Sequence, residues 1–518
     1  MAEGTSARVA PEQRETWTHN TGFILAAIGS AVGLGNIWRF PGVAYESGGG
    51  AFLIPYLVAL LTAGIPILFL DYAIGHRYRG AAPLAYRRMR KGMEPLGWFQ
   101  IMLSFVISVY YAAVIAWSLS YFVFAFDLRW GEDTAGFFVG EYLQVGDPEI
   151  STTLVSAVAI PLVLVWIAVL VILALGVANG VQKVNMIFIP LLAVAFLGLV
   201  IRALTLPGAL DGLDAFFTPD WGALTDLNVW IAAYSQIFFS LSIAFGIMVT
   251  YASYQRRKAN MTSSGLVVAF ANSSFELLAG IGVFATLGFL AFQQNTQISE
   301  LEGLTGPILS FVTFPAVISQ MPGGNIFGVV FFASLVMAGF TSLISILLGV
   351  AATVQEKFGL SRRASAISVS AVCAVISIGL FSTTSGLLAL DTVDQFANNV
   401  GIVVSAILMT ILTVWVVRKG DLLRDHLNAV STFRLGRWWL ALLGVVSPIF
   451  LLVMLVQKLI SLVSEGYEGL PGWYVGLFGW GTIAFVGLSA IALAALPWKG
   501  RDEPDFRPWP ALEEEHRS

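Results

Sequence analysis

The sequence predicts an all-α polytopic membrane protein with about twelve transmembrane helices. Hydrophobic residues make up 57% of the 518 residues and charged residues only 12%, whereas soluble proteins contain about 25% charged residues. Apolar runs of about 20 residues, enough to cross a bilayer as a helix, recur along the whole chain. These runs lack the polar–apolar alternation of outer-membrane barrel strands. Together the observations indicate a helical bundle in a membrane.

The predicted spans divide the chain into five segments. Residues 1–18 form a polar N-terminal segment and residues 499–518 a C-terminal tail. Spans 1–5 occupy residues 19–205, spans 6–10 occupy 206–418, and spans 11 and 12 occupy 419–498. The last two spans serve either packing within the bundle or contacts in a homodimer, and both interpretations stay open.

Basic residues are concentrated in loops on one side of the bundle. Most of the 28 lysines and arginines lie in the termini or in the loops that follow even-numbered spans, such as those with Arg87, Arg256 and Arg362. The opposite loops are rich in aspartate and glutamate. The positive-inside rule therefore predicts a multi-pass protein of the cell membrane with both termini in the cytoplasm. The net charge of -4 favours no nucleic-acid partner.

Two spans are interrupted by residues that do not favour a helix. Span 1 contains GSAVGLGN, Gly29 to Asn36, and span 6 contains FSLSIAFG, Phe239 to Gly246. For span 1 alone, a close helix contact of the GxxxG type explains the glycines equally well. The matched break in span 6 favours a binding site, because irregular backbone inside a membrane persists only where it lines a cavity. The breaks lie five spans apart, as inverted repeats of spans 1–5 and 6–10 require.

Three motifs resemble the neurotransmitter:sodium symporter family. RETW…GSAVGLGNIWRFPGVAYESGGGAFLIPY is similar to the first span of that family, QIFFSLSIAFGIMVTYASY to its sixth and MAGFTSLIS to its eighth. The resemblance covers about Arg14 to Trp415. It implies a sodium-coupled symporter of a neutral, hydrophobic amino acid that works by alternating access. An aromatic or other amino-acid-like substrate is the alternative.

The resemblance implies two sodium sites made of oxygen ligands. Residues that match the first site are Ala31, Asn36, Ser240 and Asn272, completed by the carboxylate of the substrate. Residues that match the second site are Gly29, Val32, Ala338, Thr341 and Ser342. Thr341 and Ser342 could equally bond back to their own helix, but a Thr-Ser pair beside two broken helices favours ion ligands.

The resemblance also implies how the substrate is held. The N–H groups of Leu34 and Gly35 and the Tyr111 hydroxyl match the carboxylate subsite, and amine carriers of the family have aspartate where this chain has Gly33. The ammonium subsite matches the carbonyls of Ala31, Phe239 and Ser240 with the hydroxyl of Ser242. The side-chain pocket matches Ile107, Tyr111, Phe239, Phe245, Ser342 and Ile346. Ala244 replaces a glycine found in a leucine-transporting member, which favours a small or medium aliphatic substrate over tryptophan.

Two gates follow from the same resemblance. Arg39 and Asp394 match the outer gate, and an arginine inside a membrane span needs a partner in any case. Arg14, Trp17 and Glu356 match the inner gate. Ion pairs at an exposed surface contribute little to stability, and that simpler interpretation stays open for Arg14 and Glu356.

Three further features bear on mechanism. Gly180 and Pro190 match a G-x9-P motif, which indicates either unwinding of span 5 that admits water to the second sodium site or a static kink. Glu276 stands where chloride-dependent relatives have serine, with Tyr56 among the matching chloride ligands. A built-in carboxylate predicts transport without chloride, and Glu276 is also a candidate to take up a proton on the return step. Asp71 replaces the usual glutamate of span 2, one methylene shorter.

Other classes of protein fit less well. An enzyme is not expected, because the four histidines lie in termini or loops and no cluster of nucleophile and base or of metal ligands is evident. A substrate sensor that does not transport is a further alternative, although the intact gate residues argue against it. The short loop between spans 3 and 4 has no glycosylation triplet, which favours a prokaryotic inner membrane.

Overall fold

The computed structural model describes residues 15–301, 303–304 and 306–499. Within these residues the chain is almost entirely helical, and the only β-type pairings are isolated bridges between Gly49 and Pro219 and between Leu154 and Thr383. The predicted all-α fold class is therefore confirmed.

The helices follow the order of the predicted spans. Span 1 is broken into Asn20–Ala31, Leu34–Trp38 and Phe40–Glu46, and span 6 into Leu227–Ser240 and Ile247–Ser253. The remaining spans are Gly50–Tyr78, Lys91–Phe124, Ser156–Gly176, Gln182–Leu204, Met261–Gln294, Gly324–Phe358, Arg362–Phe381, Gly386–Val416, Arg437–Ser464 and Gly472–Ala495. Shorter helices include Ala82–Met89, Ala209–Phe217, Phe314–Gln320 and Gly420–Val430.

The number of spans depends on how two unusual helical stretches are counted. By length and composition, 9 helices among the described residues could cross a membrane, and the bent pair of span 1 raises this to 10. Ser156–Leu204 is a single helical stretch of 49 residues, which is long enough for two crossings. Span 6 is not among the 9 helices, because each of its two helical halves is too short to cross a membrane alone. The prediction of about twelve spans thus agrees with the helices once these two cases are included.

The central helices are distinguished from the outer ones by burial. Span 3 packs along span 8, and 78% and 72% of their apolar windows are buried. In span 12 only 17% of the window is buried, so most of its apolar surface faces the lipid. Spans 3 and 8 therefore lie inside the bundle and span 12 at its outside. We call the end with Arg87, Arg256 and Arg362 the basic end, and the opposite end the acidic end.

One histidine lies in a different place from the prediction. His76 is in the last turn of Ile65–Tyr78, because the helix of span 2 continues to Tyr78 and ends at Arg79, whose φ is 52°. Its Nδ1 lies 2.9 Å from Nε2 of His426 on Gly420–Val430. Burial, followed by the neighbouring His76, lowers the pKa of His426 to about 2. The contact between the two rings holds Gly420–Val430 against span 2.

Candidate functional site

The break in span 1 exposes backbone groups at the centre of the bundle. The first helix ends at Ala31, the next begins at Leu34, and the two directions differ by 55°. Gly33 is extended, with φ -130° and ψ -166°. Its N–H donates to Oδ1 of Asn36 at 2.8 Å, and the N–H of Leu34 donates to the Tyr111 hydroxyl at 3.2 Å. Side chains therefore accept the N–H groups that the interrupted helix does not use.

The break in span 6 has a different backbone geometry. The helix ends at Ser240 and resumes at Ile247. Between them Ser242, Ala244 and Gly246 have φ values of 53°, 65° and 85°. Non-glycine residues in this left-handed region cost about 1–3 kcal/mol each, and persist only when surrounding contacts impose them.

Contacts from three other spans impose this geometry. Oδ2 of Asp71 in span 2 accepts from the N–H of Ala244 at 3.1 Å. The carbonyl of Ala244 accepts from Oγ of Ser405 at 2.5 Å, and the carbonyl of Phe245 accepts from Oγ of Ser104 at 2.7 Å. The shorter Asp71 side chain therefore still reaches the broken backbone of span 6.

The two breaks contact each other directly. The Ser242 hydroxyl in span 6 donates to the carbonyl of Ser30 in span 1 at 2.8 Å. A Cβ atom on Gly35 would lie 2.0 Å from the Phe239 ring, so only glycine allows this approach. The free backbone of both spans consequently lies around one small space.

That space is a cavity lined by almost every residue predicted for the substrate. The exception is Leu34, whose N–H instead meets Tyr111 at the edge of the site. The predicted residues in the lining are Ala31, Gly35, Ile107, Tyr111, Phe239, Ser240, Ser242, Phe245, Ser342 and Ile346. These residues come from spans 1, 3, 6 and 8, so the residues predicted for the carboxylate, ammonium and side-chain subsites line one cavity.

Sequence reasoning missed four residues of the cavity, Ser30, Tyr110, Asn398 and Ile402. Nδ2 of Asn398 donates to Oδ1 of Asp394 at 2.8 Å and to the Tyr110 hydroxyl at 3.2 Å. The two adjacent asparagines of span 10 stand in an apolar run, and that polar pair is the signal that could have identified Asn398.

The residues predicted for the first sodium site form a continuous polar chain. Nδ2 of Asn36 donates to Oδ1 of Asn272 at 2.8 Å, and Nδ2 of Asn272 donates to Oγ of Ser240 at 3.1 Å. All three side chains are buried. These hydrogen bonds join spans 1, 6 and 7 beside the break that follows Ala31.

The residues predicted for the second site meet where span 8 crosses span 1. Oγ of Ser342 lies 3.2 Å from the carbonyl oxygen of Gly29 and 3.4 Å from that of Val32. Oγ1 of Thr341 lies 3.0 Å from the carbonyl oxygen of Ala338 on its own helix. The Ser342 hydroxyl thus meets two carbonyls of span 1, whereas the Thr341 hydroxyl bonds back to its own helix.

Glu276 lies one helical turn beyond Asn272. Its Oε1 accepts from Nε2 of Gln236 at 2.6 Å, and its Oε2 accepts from the Tyr56 hydroxyl. The carboxylate is buried. The carboxylate is therefore surrounded by donors from spans 2 and 6.

The predicted outer-gate residues Arg39 and Asp394 lie above the cavity, and among the described residues each is hydrogen-bonded to a different residue and not to the other. Nη2 of Arg39 donates to the Ser235 hydroxyl at 3.1 Å, and its guanidinium lies 4.7 Å from the centre of the Phe239 ring. Asp394 is held by Asn398. Arg39 and Asp394 therefore face the same region from spans 1 and 10 without being one another's hydrogen-bond partner in the described contacts.

The inner-gate residues lie at the basic end. Trp17 is 1% exposed, and its Nε1 donates to the carbonyl of Tyr251 at 3.0 Å. Glu356 accepts from the N–H of Ala81 at 2.9 Å. Arg14 lies outside the described residues. Trp17 thus ties the N-terminal segment to the second half of span 6.

Span 5 begins with a wide helical turn. The turn Val177–Val181 contains Gly180 and follows Gly176, whose φ is 85°. The helix then continues through Pro190 to Leu204. Gly176 and Val177 also line a cavity of about 510 Å³ at the basic end, together with Tyr254 and Glu356.

These features define the class of protein. A helical membrane bundle in which two broken spans face a central cavity is the architecture of a secondary transporter. The chain belongs to the Sodium:neurotransmitter symporter family, whose sequence model matches residues 14–135 and 131–498. It is therefore a sodium-dependent transporter and not an enzyme.

Individual relatives agree with this assignment. The chain is 42% identical over 471 residues to an uncharacterised sodium-dependent transporter of Methanocaldococcus jannaschii, covering 90% of this chain and 94% of that one. It is 28% identical to the sodium- and chloride-dependent taurine transporter of Rattus norvegicus, covering 96% and 86%. Among solved structures, MhsT in complex with L-phenylalanine has a TM-score of 0.74 at 31% identity, covering 86% of this chain and 99% of that chain.

The crowding around Gly33 gives a first prediction. A Cβ atom there would lie 2.9 Å from both Oγ of Ser342 and the Tyr111 hydroxyl. We expect Gly33→Ala to weaken ligand binding by about tenfold or more, equivalent to 1.4 kcal/mol, as measured by ligand-dependent thermal stabilisation. The control is Gly198→Ala, since no atom lies within 4 Å of a Cβ there. Equal binding by the two variants would contradict the predicted crowding.

The bond between Asp71 and Ala244 gives a second prediction. Asp71→Ala leaves a buried N–H without its acceptor, which costs about 1–3 kcal/mol. We expect a lower melting temperature and weaker ligand binding, because the break in span 6 loses a restraint. Asp71→Asn keeps an acceptor oxygen, so its melting temperature and ligand affinity should lie between those of Asp71→Ala and those of the original protein. An Asp71→Ala variant with the stability and binding of the original protein would rule out this role.

Proposed function

We propose that the chain is a symporter that carries a neutral, hydrophobic amino acid into the cell with sodium. The observation that supports this most is the meeting of the two broken spans at one cavity. Their free N–H and carbonyl groups suit the carboxylate and ammonium of an amino acid, and oxygen clusters for sodium adjoin them.

The carboxylate of the substrate is assigned to the span 1 break. The N–H groups of Leu34 and Gly35 begin a helix, and this end of a helix favours an anion. The Tyr111 hydroxyl, which now accepts from Leu34, adds a donor. An amine substrate without a carboxylate would leave these donors unused. Gly33 has no side chain that could supply a carboxylate in its place.

The side chain of the substrate is assigned to the part of the cavity with Ile107, Phe245 and Ile346. No lysine, arginine, aspartate or glutamate lines the cavity among the described residues. A charged substrate side chain would therefore be buried without a partner, at a cost of several kcal/mol. Ala244 favours small or medium aliphatic substrates. The alternative is an aromatic substrate, which the L-phenylalanine complex of MhsT supports.

Sodium is assigned to two sites. The first comprises Ala31, Asn36, Ser240 and Asn272 with the substrate carboxylate, so sodium and substrate each complete the other's site. The second comprises Gly29, Val32, Ala338, Thr341 and Ser342, where an ion would fix span 1 against span 8. Coupled transport follows because either ligand binds weakly without the other.

Alternating access is assigned to the two gates. Formation of an ion pair between Arg39 and Asp394 would close the acidic end, with Tyr111 and Phe245 below it. Release of Trp17, together with Arg14 and Glu356, would open the basic end. We assign the basic end and both termini to the cytoplasm of a prokaryotic cell, from the distribution of lysine and arginine. Spans 11 and 12 are assigned either to packing within the bundle or to contacts in a homodimer.

Transport is proposed to need no chloride. Glu276 already supplies a negative charge to Tyr56 and Gln236, so a bound anion would be buried beside a like charge. The same carboxylate is the candidate for proton counter-transport.

The direct test of the proposed function is uptake by the purified protein in proteoliposomes. With an inward sodium gradient we expect accumulation of leucine, isoleucine or phenylalanine, and no accumulation when potassium or choline replaces sodium. A thermal-shift screen of the twenty amino acids with and without sodium identifies the substrate first, because a ligand of the folded state raises its stability. Binding without any transport would instead support the sensor.

Chloride provides a separate prediction. Replacing chloride by gluconate at constant sodium should leave uptake unchanged within about twofold, whereas Glu276→Ser should make uptake depend on chloride, because Tyr56 and Gln236 lose the charge they donate to. Glu276→Gln, which keeps the size of the side chain, tests whether the charge or the shape matters. Chloride-dependent uptake by the original protein would overturn the proposal.

A further inference from the structure

Span 5 contains a buried polar side chain that the proposed function does not use. Asn185 is 0% exposed, and its Nδ2 donates to the carbonyl of Val181 at 2.8 Å. Its Oδ1 is buried and has no hydrogen-bond partner among the described residues. Leaving such an acceptor unpaired costs about 1–3 kcal/mol. The oxygen atom is therefore available to a cation at a place where the protein offers it no donor.

The free oxygen lies against the second sodium site. A Cβ atom on Gly29 would lie 2.1 Å from Oδ1 of Asn185 and 2.9 Å from Cδ1 of Ile189. The missing side chain of Gly29 is thus what lets the amide approach the backbone of span 1. The carbonyl of Gly29 is one of the proposed sodium ligands and lies 3.2 Å from the Ser342 hydroxyl.

The other side of Asn185 leads toward the basic end. Val181, which accepts from Nδ2 of Asn185, is the last residue of the wide turn Val177–Val181. The first residue of that turn, Val177, lines the cavity of about 510 Å³ at the basic end. Asn185 therefore lies between Gly29 and a turn whose first residue lines this cavity.

We propose that Asn185 is a transient sodium ligand: its Oδ1 receives the ion from the Gly29 carbonyl as sodium leaves the second site toward the basic end. This inference rests on the proposed function. Asn185 does not line the substrate cavity, so the role concerns the ion alone. The amide lowers the barrier for release and binding equally, because it contacts the ion between the two places and not at either end.

The test measures sodium kinetics and sodium affinity in the purified protein. Radioactive sodium is bound at equilibrium and its release is followed after dilution, with two phases expected for two sites. In Asn185→Leu one release phase should slow by about fivefold to tenfold. The equilibrium Kd of sodium should stay within about twofold, and the other phase serves as an internal reference.

The matched control is Ile189→Leu, which changes a side chain that approaches the same glycine but removes no oxygen atom. It should leave both release phases unchanged. An unchanged release rate in Asn185→Leu would overturn the proposal, since Asn185 would then only pack. A raised Kd with faster release would also overturn it, because that identifies a permanent ligand.

Failure of the variant to fold, failure of the proposed symport and failure of the role of Asn185 are distinguishable. If Asn185→Leu does not fold, Asn185→Ala is measured in the same way and judged by the same criteria. If the original protein binds no sodium at all, the proposed symport fails. If it binds sodium and transports but the variant releases the ion normally, only the role of Asn185 fails.

Discussion

The structure depends on one constraint: backbone groups inside a membrane must have partners. Spans 1 and 6 stop short of forming their own hydrogen bonds in the middle of the bundle, and no lipid or bulk water can replace these bonds there. Side chains of neighbouring spans supply the missing hydrogen bonds. Asn36 and Tyr111 accept N–H groups of span 1, while Asp71, Ser104 and Ser405 hold the left-handed segment of span 6.

The broken backbone of span 6 is held more fully by side chains of the protein than that of span 1. The backbone of span 6 is held by side chains from spans 2, 3 and 10, so its break is maintained by the protein itself. In span 1 the carbonyls of Gly29 and Val32 meet the hydroxyl of Ser342 at 3.2–3.4 Å. These carbonyls keep lone pairs for cations, which is why we propose that sodium binds at the break in span 1.

The fold and most of the cavity could be predicted from the sequence because helix breakers in apolar runs have few explanations. Gly29 to Asn36 and Phe239 to Gly246 marked both breaks, and long motifs identified the lining. Asn185 could not be predicted, because a single asparagine in a span does not reveal which neighbour it meets, whereas Asn398 and Asn399 form a polar pair that does mark span 10. His76 was misplaced for a similar reason, since only the left-handed Arg79 shows where span 2 ends.

The central claim is that sodium and substrate share one site made by the broken spans. It is tested most directly by measuring the Kd of the amino acid at several sodium concentrations, and the Kd of sodium at several amino-acid concentrations, on the same purified protein. The account predicts that each ligand tightens the binding of the other by the same factor, as linkage requires for coupled sites. An amino-acid Kd that does not change between sodium-free and saturating sodium conditions would contradict it.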